Sequence, residues 1–283
     1  AVTVNVLLPE PSQGIGLEGA KAQEPPRVMY LLHGYSDDQS IWMRRTSVER
    51  YCAKYNLAVI MPAVNHSYYA NELQGERYWD YVSQELPRMM HSMFRLSQAP
   101  GTELVAGLSM GGYVVQEYAW QFGGCAGYLV AGATPILLDC YSGWERAGLR
   151  ASTPLLGVWP WRCLKSAMAM ACSSTEEGRA AVRRMFDQLT RREFLRGWRG
   201  IAQCLHPEKH FSFDAPLLVC RGERDRTGTI ARHMEDWKRA WPETETAVLP
   251  GAAHVVNLDA PEAFNRLLLD FLTRCGGSRR GRR

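Results

Sequence analysis

The stretch VAGLSMGGYVVQEY, Val105 to Tyr118, constrains the fold more than any other part of this chain. A short apolar run meets Gly107-Leu108-Ser109-Met110-Gly111, and an amphipathic run follows. The G-x-S-x-G pattern is that of a nucleophile elbow, a sharp strand-to-helix turn that holds a serine in a strained backbone conformation. Small residues two before and two after the serine, Gly107 and Gly111, let the neighbouring chain pass close by. The turn lifts the hydroxyl out of a sheet and leaves a helix N-terminus beneath it. The alternative is a glycine-rich turn with an ordinary serine, so the remainder of the chain must supply the context.

That context is a series of short apolar runs closed by glycine, proline or polar clusters: Val2–Leu8, Val28–Leu32, Leu57–Met61, Glu103–Ala106, Gly127–Ala131, Leu217–Cys220 and Thr246–Leu249. Most are continuous rather than alternating, as in strands covered on both faces. Helical patterns fall between them, over Ser47–Tyr55, Tyr78–Arg95, Gly112–Phe122, Ile230–Ala240 and Pro261–Arg274. The β-α-β-α order predicts an α/β fold with a mostly parallel central sheet and helices on both faces.

From about Ile136 to His210 the rhythm breaks, with no convincing strand. Ser174-x-x-Glu177 has the form of a capping box opening a helix through Leu189. Phe194, Leu195, Trp198, Ile201, Ala202 and Leu205 recur at helical spacing. Trp144, Trp159, Trp161, Met168 and Met170 add apolar bulk. An all-helical insertion beside a loop-borne serine is expected to cap the site, with Trp144, Trp159, Trp161 and Met168 as candidates for an acyl pocket. The alternative is extra helices packed on the sheet. The expected division is an N-terminal part of the core at 1–135, the cap at 136–210, a C-terminal part of the core at 211–275, and a disordered basic tail at 276–283. Gly14-Ile15-Gly16-Leu17-Glu18-Gly19 is a formal G-x-G-x-x-G. Pro25-Pro26 and a further strand follow it where a dinucleotide site needs a helix, so the match is rejected.

Composition narrows the partners. Among 283 residues, 46% are hydrophobic and 22% charged, enough for a substantial core in a soluble protein. Four of the 33 basic residues are the arginines of the closing SRRGRR, and without them basic and acidic residues balance at 29 each. Nucleic acid is therefore not an expected partner, since such binders carry their basic charge on a folded face. No apolar run approaches the ~18 residues needed to cross a bilayer, so no membrane partner is expected. Eight cysteines without a C-x-x-C pair fit reduced thiols and a cytoplasmic location, with a secreted, partly disulfide-bonded protein as the alternative. The absence of H-E-x-x-H and Cys/His ligand clusters argues against metal, and no cofactor is expected.

A serine hydroxyl becomes a nucleophile when a neighbouring imidazole takes its proton and a carboxylate holds the imidazole. Behind an elbow, the acid and then the histidine follow the serine along the chain, at the ends of later strands. In LLVCRGERDRTG, Asp225 lies beyond the Leu217–Cys220 run; Glu223 is its competitor, and Asp225 is preferred because it sits further into the loop, before a Thr227-Gly228 turn. In AVLPGAAHVVNLDAPEAF, His254 follows the last strand and the Pro250-Gly251 turn. Of the other histidines near loops, His33 precedes the serine, His206 and His210 fall in the insertion, and His233 sits in a helical pattern. The oxyanion donors are expected to be the backbone amides of Met110, after the nucleophile, and Tyr35, after the strand ending in Leu32-His33-Gly34.

LLHGYSDD, GLSMGGY, GERDRTG and GAAHVVNLDAPEAF together resemble the α/β-hydrolase superfamily across nearly the whole chain. Residues 1–100, with VNVLLPE and YWDYVSQELP, resemble the tributyrin-esterase and esterase D type, compact carboxylesterases for short acyl chains. Residues 109–275 resemble capped hydrolases related to non-haem haloperoxidases and lactonases, which implies a chimera of two branches. The resemblance carries the triad to Ser109, Asp225 and His254 and implies a serine carboxylesterase acting on a small-molecule ester as a monomer or homodimer. The alternatives are a catalytically weak hydrolase scaffold or ligand-binding protein, or lactone, thioester or perhydrolysis chemistry on the same triad.

Overall fold

In the computed structural model, which describes residues 2–9, 24–35, 37–207 and 211–277, the apolar runs form one seven-stranded sheet. The strands are β1 (Val4–Leu7), β2 (Arg27–Leu32), β3 (Leu57–Pro62), β4 (Glu103–Leu108), β5 (Gly127–Ala131), β6 (Leu217–Gly222) and β7 (Glu245–Leu249), in the spatial order β1-β3-β2-β4-β5-β6-β7. Only β1 runs antiparallel, against β3; every other pairing is parallel. The expected α/β-hydrolase architecture is thus the observed one.

The helices follow in chain order: α1 (Ile41–Arg45), α2 (Val48–Lys54), α3 (Tyr78–Asp80), α4 (Leu86–Met93), α5 (Met110–Gln121), α6 (Gly143–Val158), α7 (Trp161–Cys172), α8 (Glu176–Asp187), α9 (Arg191–Gln203), α10 (Met234–Ala240), α11 (Val256–Asp259) and α12 (Pro261–Gly277). Between α3 and α4 the chain takes a π-helical turn over Tyr81–Glu85. Pro87, with no N–H to donate, lies just beyond it, which accounts for the departure from one regular helix over Tyr78–Arg95.

Strand residues alternate between two cores. Val28, Tyr30, Leu32, Val105, Tyr128, Val130 and Val219 face one, with residues of α4, α5 and α10. Met29, Leu31, Leu104, Ala106, Leu129, Leu218 and Cys220 face the other, with residues of α1, α2 and α12. Both faces of the sheet are covered, which is why the strands read as unbroken apolar runs. A third, separate cluster lies within the α6–α9 segment: Leu164, Ala169, Cys172, Val182, Phe186, Leu189 and Phe194. This segment follows β5 and precedes β6, so it is an insertion carrying its own small core.

Two local expectations are corrected. The cap of α8 is Thr175, whose side chain accepts from the Gly178 amide, one residue later than the Ser174-x-x-Glu177 box. The Ser174 amide is instead drawn to the Asp259 carboxylate, 2.9 Å away. True capping boxes occur at Ser142/Glu145 and Thr190/Glu193, opening α6 and α9. At the C-terminus α12 continues through Gly277, past the expected start of the tail, and residues 278–283 lie outside the described residues, as do the Gly14–Gly19 motif and His210.

Leu129 is 1% exposed at the middle of the sheet. Leu129→Ala is expected to cost about 2–5 kcal/mol through lost burial and a residual cavity, read as a lower denaturation midpoint in urea.

Candidate active site

The junction of β4 and α5 is built by close backbone packing. Gly107 pairs with Leu32 of β2 in the sheet register. A Cβ at Gly107 would lie 2.2 Å from the Gly111 carbonyl carbon and oxygen, and one at Gly111 would lie 2.6 Å from the Leu32 carbonyl oxygen. Neither position can carry a side chain without moving the main chain. Between them Ser109 has φ 55° and ψ −113°, a left-handed conformation that costs an L-residue of order 1–3 kcal/mol. The turn is held by the Ser109 amide donating to the Ala131 carbonyl at 2.8 Å and by the Gly112 amide donating to the Ser109 carbonyl at 2.9 Å.

Two loops from the far side of the sheet meet this turn. His254, 5% exposed and beyond β7, has its Nδ1 3.0 Å from Oδ2 of Asp225, itself 5% exposed and beyond β6. The Thr227 amide donates to the other carboxylate oxygen at 2.8 Å. Burial pushes the Asp225 carboxyl upward, but the His254 ring and the Thr227 amide outweigh it and hold it below the usual aspartate range. With Nδ1–H committed to the carboxylate, the second ring nitrogen of His254 is left for other work. Glu223, the competing acid, accepts instead from the Gly251 amide and takes no part in this pair.

Ser109 and His254 line the same two cavities. Among the described residues no hydrogen bond closes between the Ser109 hydroxyl and the imidazole; such contacts commonly tighten only when substrate is bound. The smaller cavity, about 120 Å³, is walled by apolar side chains of the insertion, including Met168, Val182, Met185, Phe186 and Phe194. The larger, about 440 Å³, runs past Tyr113, Trp144, Leu149 and Ile230. Trp198, Ile201 and Thr227 border both. Cys172 also lines the smaller cavity, but burial pushes its thiol up to about 12, so it is no rival nucleophile at neutral pH.

The His33-Gly34-Tyr35 turn beyond β2 sits against the elbow: a Cβ at Gly34 would stand 3.5 Å from the Ser109 Cβ. Gly34, Tyr35 and Met110 all line the smaller cavity. Met110 is the first residue of α5, where an amide has no intrahelical partner. His33 is 1% exposed and braces the turn: its Nδ1 lies 2.7 Å from the Gly34 carbonyl, and its Nε2 accepts from the Val64 amide at 3.4 Å.

Of the four side chains expected to form an acyl pocket, Met168 lines the smaller cavity and Trp144 the larger. Trp159 and Trp161 are brought to neither. Trp159 ends α6, where its carbonyl accepts from Arg191, and Trp161 packs against Phe186 and Phe194 inside the insertion. Phe194, Trp198 and Ile201 border the cavities instead; their helical spacing was visible, but not the direction they face. Asp259 was also missed. It accepts from the Ala253 amide at 2.8 Å and the Ser174 amide at 2.9 Å, and so ties the His254 loop to the α7–α8 junction. A second tie is the Val255 amide donating to the Cys172 carbonyl at 3.0 Å.

Among the described residues no group of three or more His, Cys, Asp or Glu side chains could hold a metal ion, and no helix is long and apolar enough to cross a membrane.

A parallel sheet with a strained serine between β4 and α5, and with a carboxylate and an imidazole beyond later strands, defines an α/β hydrolase. The alpha/beta hydrolase family model matches residues 29–267, and the chain belongs to that family. It is 32% identical over 88 residues to the acetyl esterase of Caldicellulosiruptor saccharolyticus, a match covering 31% of this chain and 33% of that protein. It is 24% identical over 254 residues to the pimeloyl-[acyl-carrier protein] methyl ester esterase of Yersinia pseudotuberculosis, covering 86% of this chain and 92% of that one. The chain spans between a third and just over half the length of the first curated relatives it matches. Among solved structures, the fluorophosphonate-binding serine hydrolase F of Staphylococcus aureus shares the fold, with a TM-score of 0.57 at 23% identity over 96% of this chain and 91% of that chain.

Burial pushes the His33 imidazole down to about 4 from its ordinary 6.5. Between those values the unfolded chain binds a proton that the folded chain refuses, so this residue's contribution to stability declines as pH falls from 6.5 towards 4. Urea denaturation midpoints measured across that window should fall more steeply for the wild type than for His33→Gln.

Proposed function

We propose that the protein is a serine carboxylesterase for small, short-acyl esters, working through Ser109, His254 and Asp225. The observation that supports this most is the left-handed Ser109 sharing its cavities with an imidazole whose Nδ1 rests on a buried carboxylate. In the proposed reaction His254 Nε2 takes the hydroxyl proton as the Ser109 oxygen attacks the ester carbonyl. The Tyr35 and Met110 amides receive the oxyanion of the tetrahedral intermediate. Collapse expels the alcohol, which takes the proton from His254, and leaves an acyl-Ser109 ester. Water, deprotonated by the same imidazole, then releases the acid. Asp225 keeps the imidazole in the tautomer with hydrogen on Nδ1 and stabilises its cationic form.

The helical insertion acts in this reading as a cap whose apolar side chains hold the acyl group in the smaller cavity, while the wider one admits the alcohol. No cofactor or metal takes part. A second reading concerns the substrate's carrier. Residues 143–203 hold eleven basic residues against five acidic ones, which favours an ester attached to an anionic or acidic group. The pimeloyl-[acyl-carrier protein] methyl ester esterase named above is a relative of comparable length. Electrostatic attraction of that kind weakens with salt, so the kcat/KM for an acidic carrier ester would fall with added salt while that for a neutral ester would not.

A fluorophosphonate probe and p-nitrophenyl butyrate test the main reading together. The wild type should be labelled at Ser109 and turn over the ester; Ser109→Ala should lose labelling and at least ~10³-fold in kcat. Equal rates in the two proteins would reject Ser109 as the nucleophile, and a wild type that is not labelled would leave a ligand-binding scaffold. Met168→Ala should enlarge the acyl chamber and shift the preferred p-nitrophenyl ester toward longer acyl chains, measured as kcat/KM across an acetyl-to-decanoyl series.

A further inference from the structure

The loop after β3 carries the greatest concentration of strained backbone in the described chain. Asn65, Tyr68 and Tyr69 all have positive φ, at 50°, 60° and 59°. None is glycine, and two adjacent tyrosines in the left-handed region are costly for L-residues. Such a conformation persists only where the surroundings hold it, and here both rings are directed to one place.

Tyr69, 3% exposed, donates its hydroxyl proton to the His33 carbonyl at 2.9 Å. Tyr68 stacks on Tyr35, with ring centroids 4.0 Å apart and planes inclined by 17°. The two tyrosines therefore grip the turn at residues on either side of Gly34. His66, from the same loop, stands beside the Tyr35 ring at 5.9 Å.

Tyr68 also reaches the insertion. Its hydroxyl donates to the Glu193 carbonyl in the first turn of α9 at 2.9 Å. One helical turn further, Gly197 leaves the space the phenol occupies: a Cβ there would fall 1.3 Å from the Tyr68 hydroxyl oxygen. Glycine inside a helix is unfavourable, and this one has a spatial reason. One side chain thus lies between the candidate oxyanion turn and the helix whose Phe194, Trp198 and Ile201 border the substrate cavities.

We propose that Tyr68 and Tyr69 are positioning residues for oxyanion binding: Tyr69 fixes the carbonyl of His33, and Tyr68, seated at Gly197, locks Tyr35 to α9 so that the oxyanion turn and the insertion hold one arrangement. This rests on the esterase reading above. Its consequence is selective. A misplaced Tyr35 amide weakens binding of the negatively charged tetrahedral species far more than binding of a neutral ester.

The test uses the full chain, p-nitrophenyl butyrate, and a trifluoromethyl ketone that forms a hemiketal oxyanion on Ser109. Tyr69→Phe removes one hydroxyl, and Gly197→Ala fills the seat of Tyr68 with a residue that itself favours helix. In each, kcat per fluorophosphonate-labelled serine should fall about tenfold or more, with KM about unchanged and ketone affinity reduced by a similar factor. Tyr68→Phe, which keeps the stack and loses the bond to Glu193, should show a smaller loss of the same kind. Wild-type kcat and ketone affinity in both Tyr69→Phe and Gly197→Ala would overturn the proposal, as would a lower melting temperature without change in either quantity. A wild type that neither labels nor turns over would reject the esterase reading, and this inference with it.

Discussion

The site depends on main chain pressed against main chain at the end of β4. With hydrogen in place of a side chain at Gly107 and Gly111, the elbow closes onto itself and onto the last carbonyl of β2. That contact fixes Ser109 in a conformation it would not choose, and it sets the start of α5 and the His33-Gly34-Tyr35 turn side by side. The hydrogen bond from the Ser109 amide to Ala131 adds β5 to the same junction. The central strands of the sheet therefore act as the rigid support for one hydroxyl, and the two buried cores on its faces supply the stability against which backbone strain can be held.

Around that fixed point the other groups are delivered by loops, and each loop is tied down by a bond to a distant segment. The imidazole rests on Asp225, while its own loop is held by Asp259 and by the carbonyl of Cys172 at the end of α7. The Tyr35 turn is held by the buried, neutral ring of His33 and by the tyrosines of the loop after β3. The insertion is linked to both systems, through Ser174 to Asp259 and through α9 to Tyr68. It has a small internal core of its own, and Ala181 and Met185 of α8 also pack into the core on one face of the sheet.

Residues before 100 and residues after 109 both contribute side chains to the two principal cores. Val28, Ile60 and Leu86 pack with Tyr128, Val130 and Trp237 on one face; Met29, Val59 and Trp42 pack with Leu129, Leu218 and Phe264 on the other. β4, which lies between the two stretches in sequence, pairs in parallel with β2 on one side and β5 on the other and so joins them through the sheet.

The order of strands and helices was legible in the sequence because strands buried on both faces leave unbroken apolar runs and helices leave a 3.6-residue period. Gly107, Ser109 and Gly111 were legible because a tight turn has few residue solutions, and Asp225 and His254 because each follows a strand in the order an elbow requires. These are local signals. The cavities, the displacement of Trp159 and Trp161 from them, and the roles of Asp259, Tyr68 and Gly197 left none. The Tyr68 hydroxyl meets a carbonyl 125 residues away, and Ser174 meets Asp259 across 85. A contact of that separation follows no periodicity and alters no turn propensity at either end. It exists only once the sheet and the insertion are packed together, so tertiary structure alone decided it.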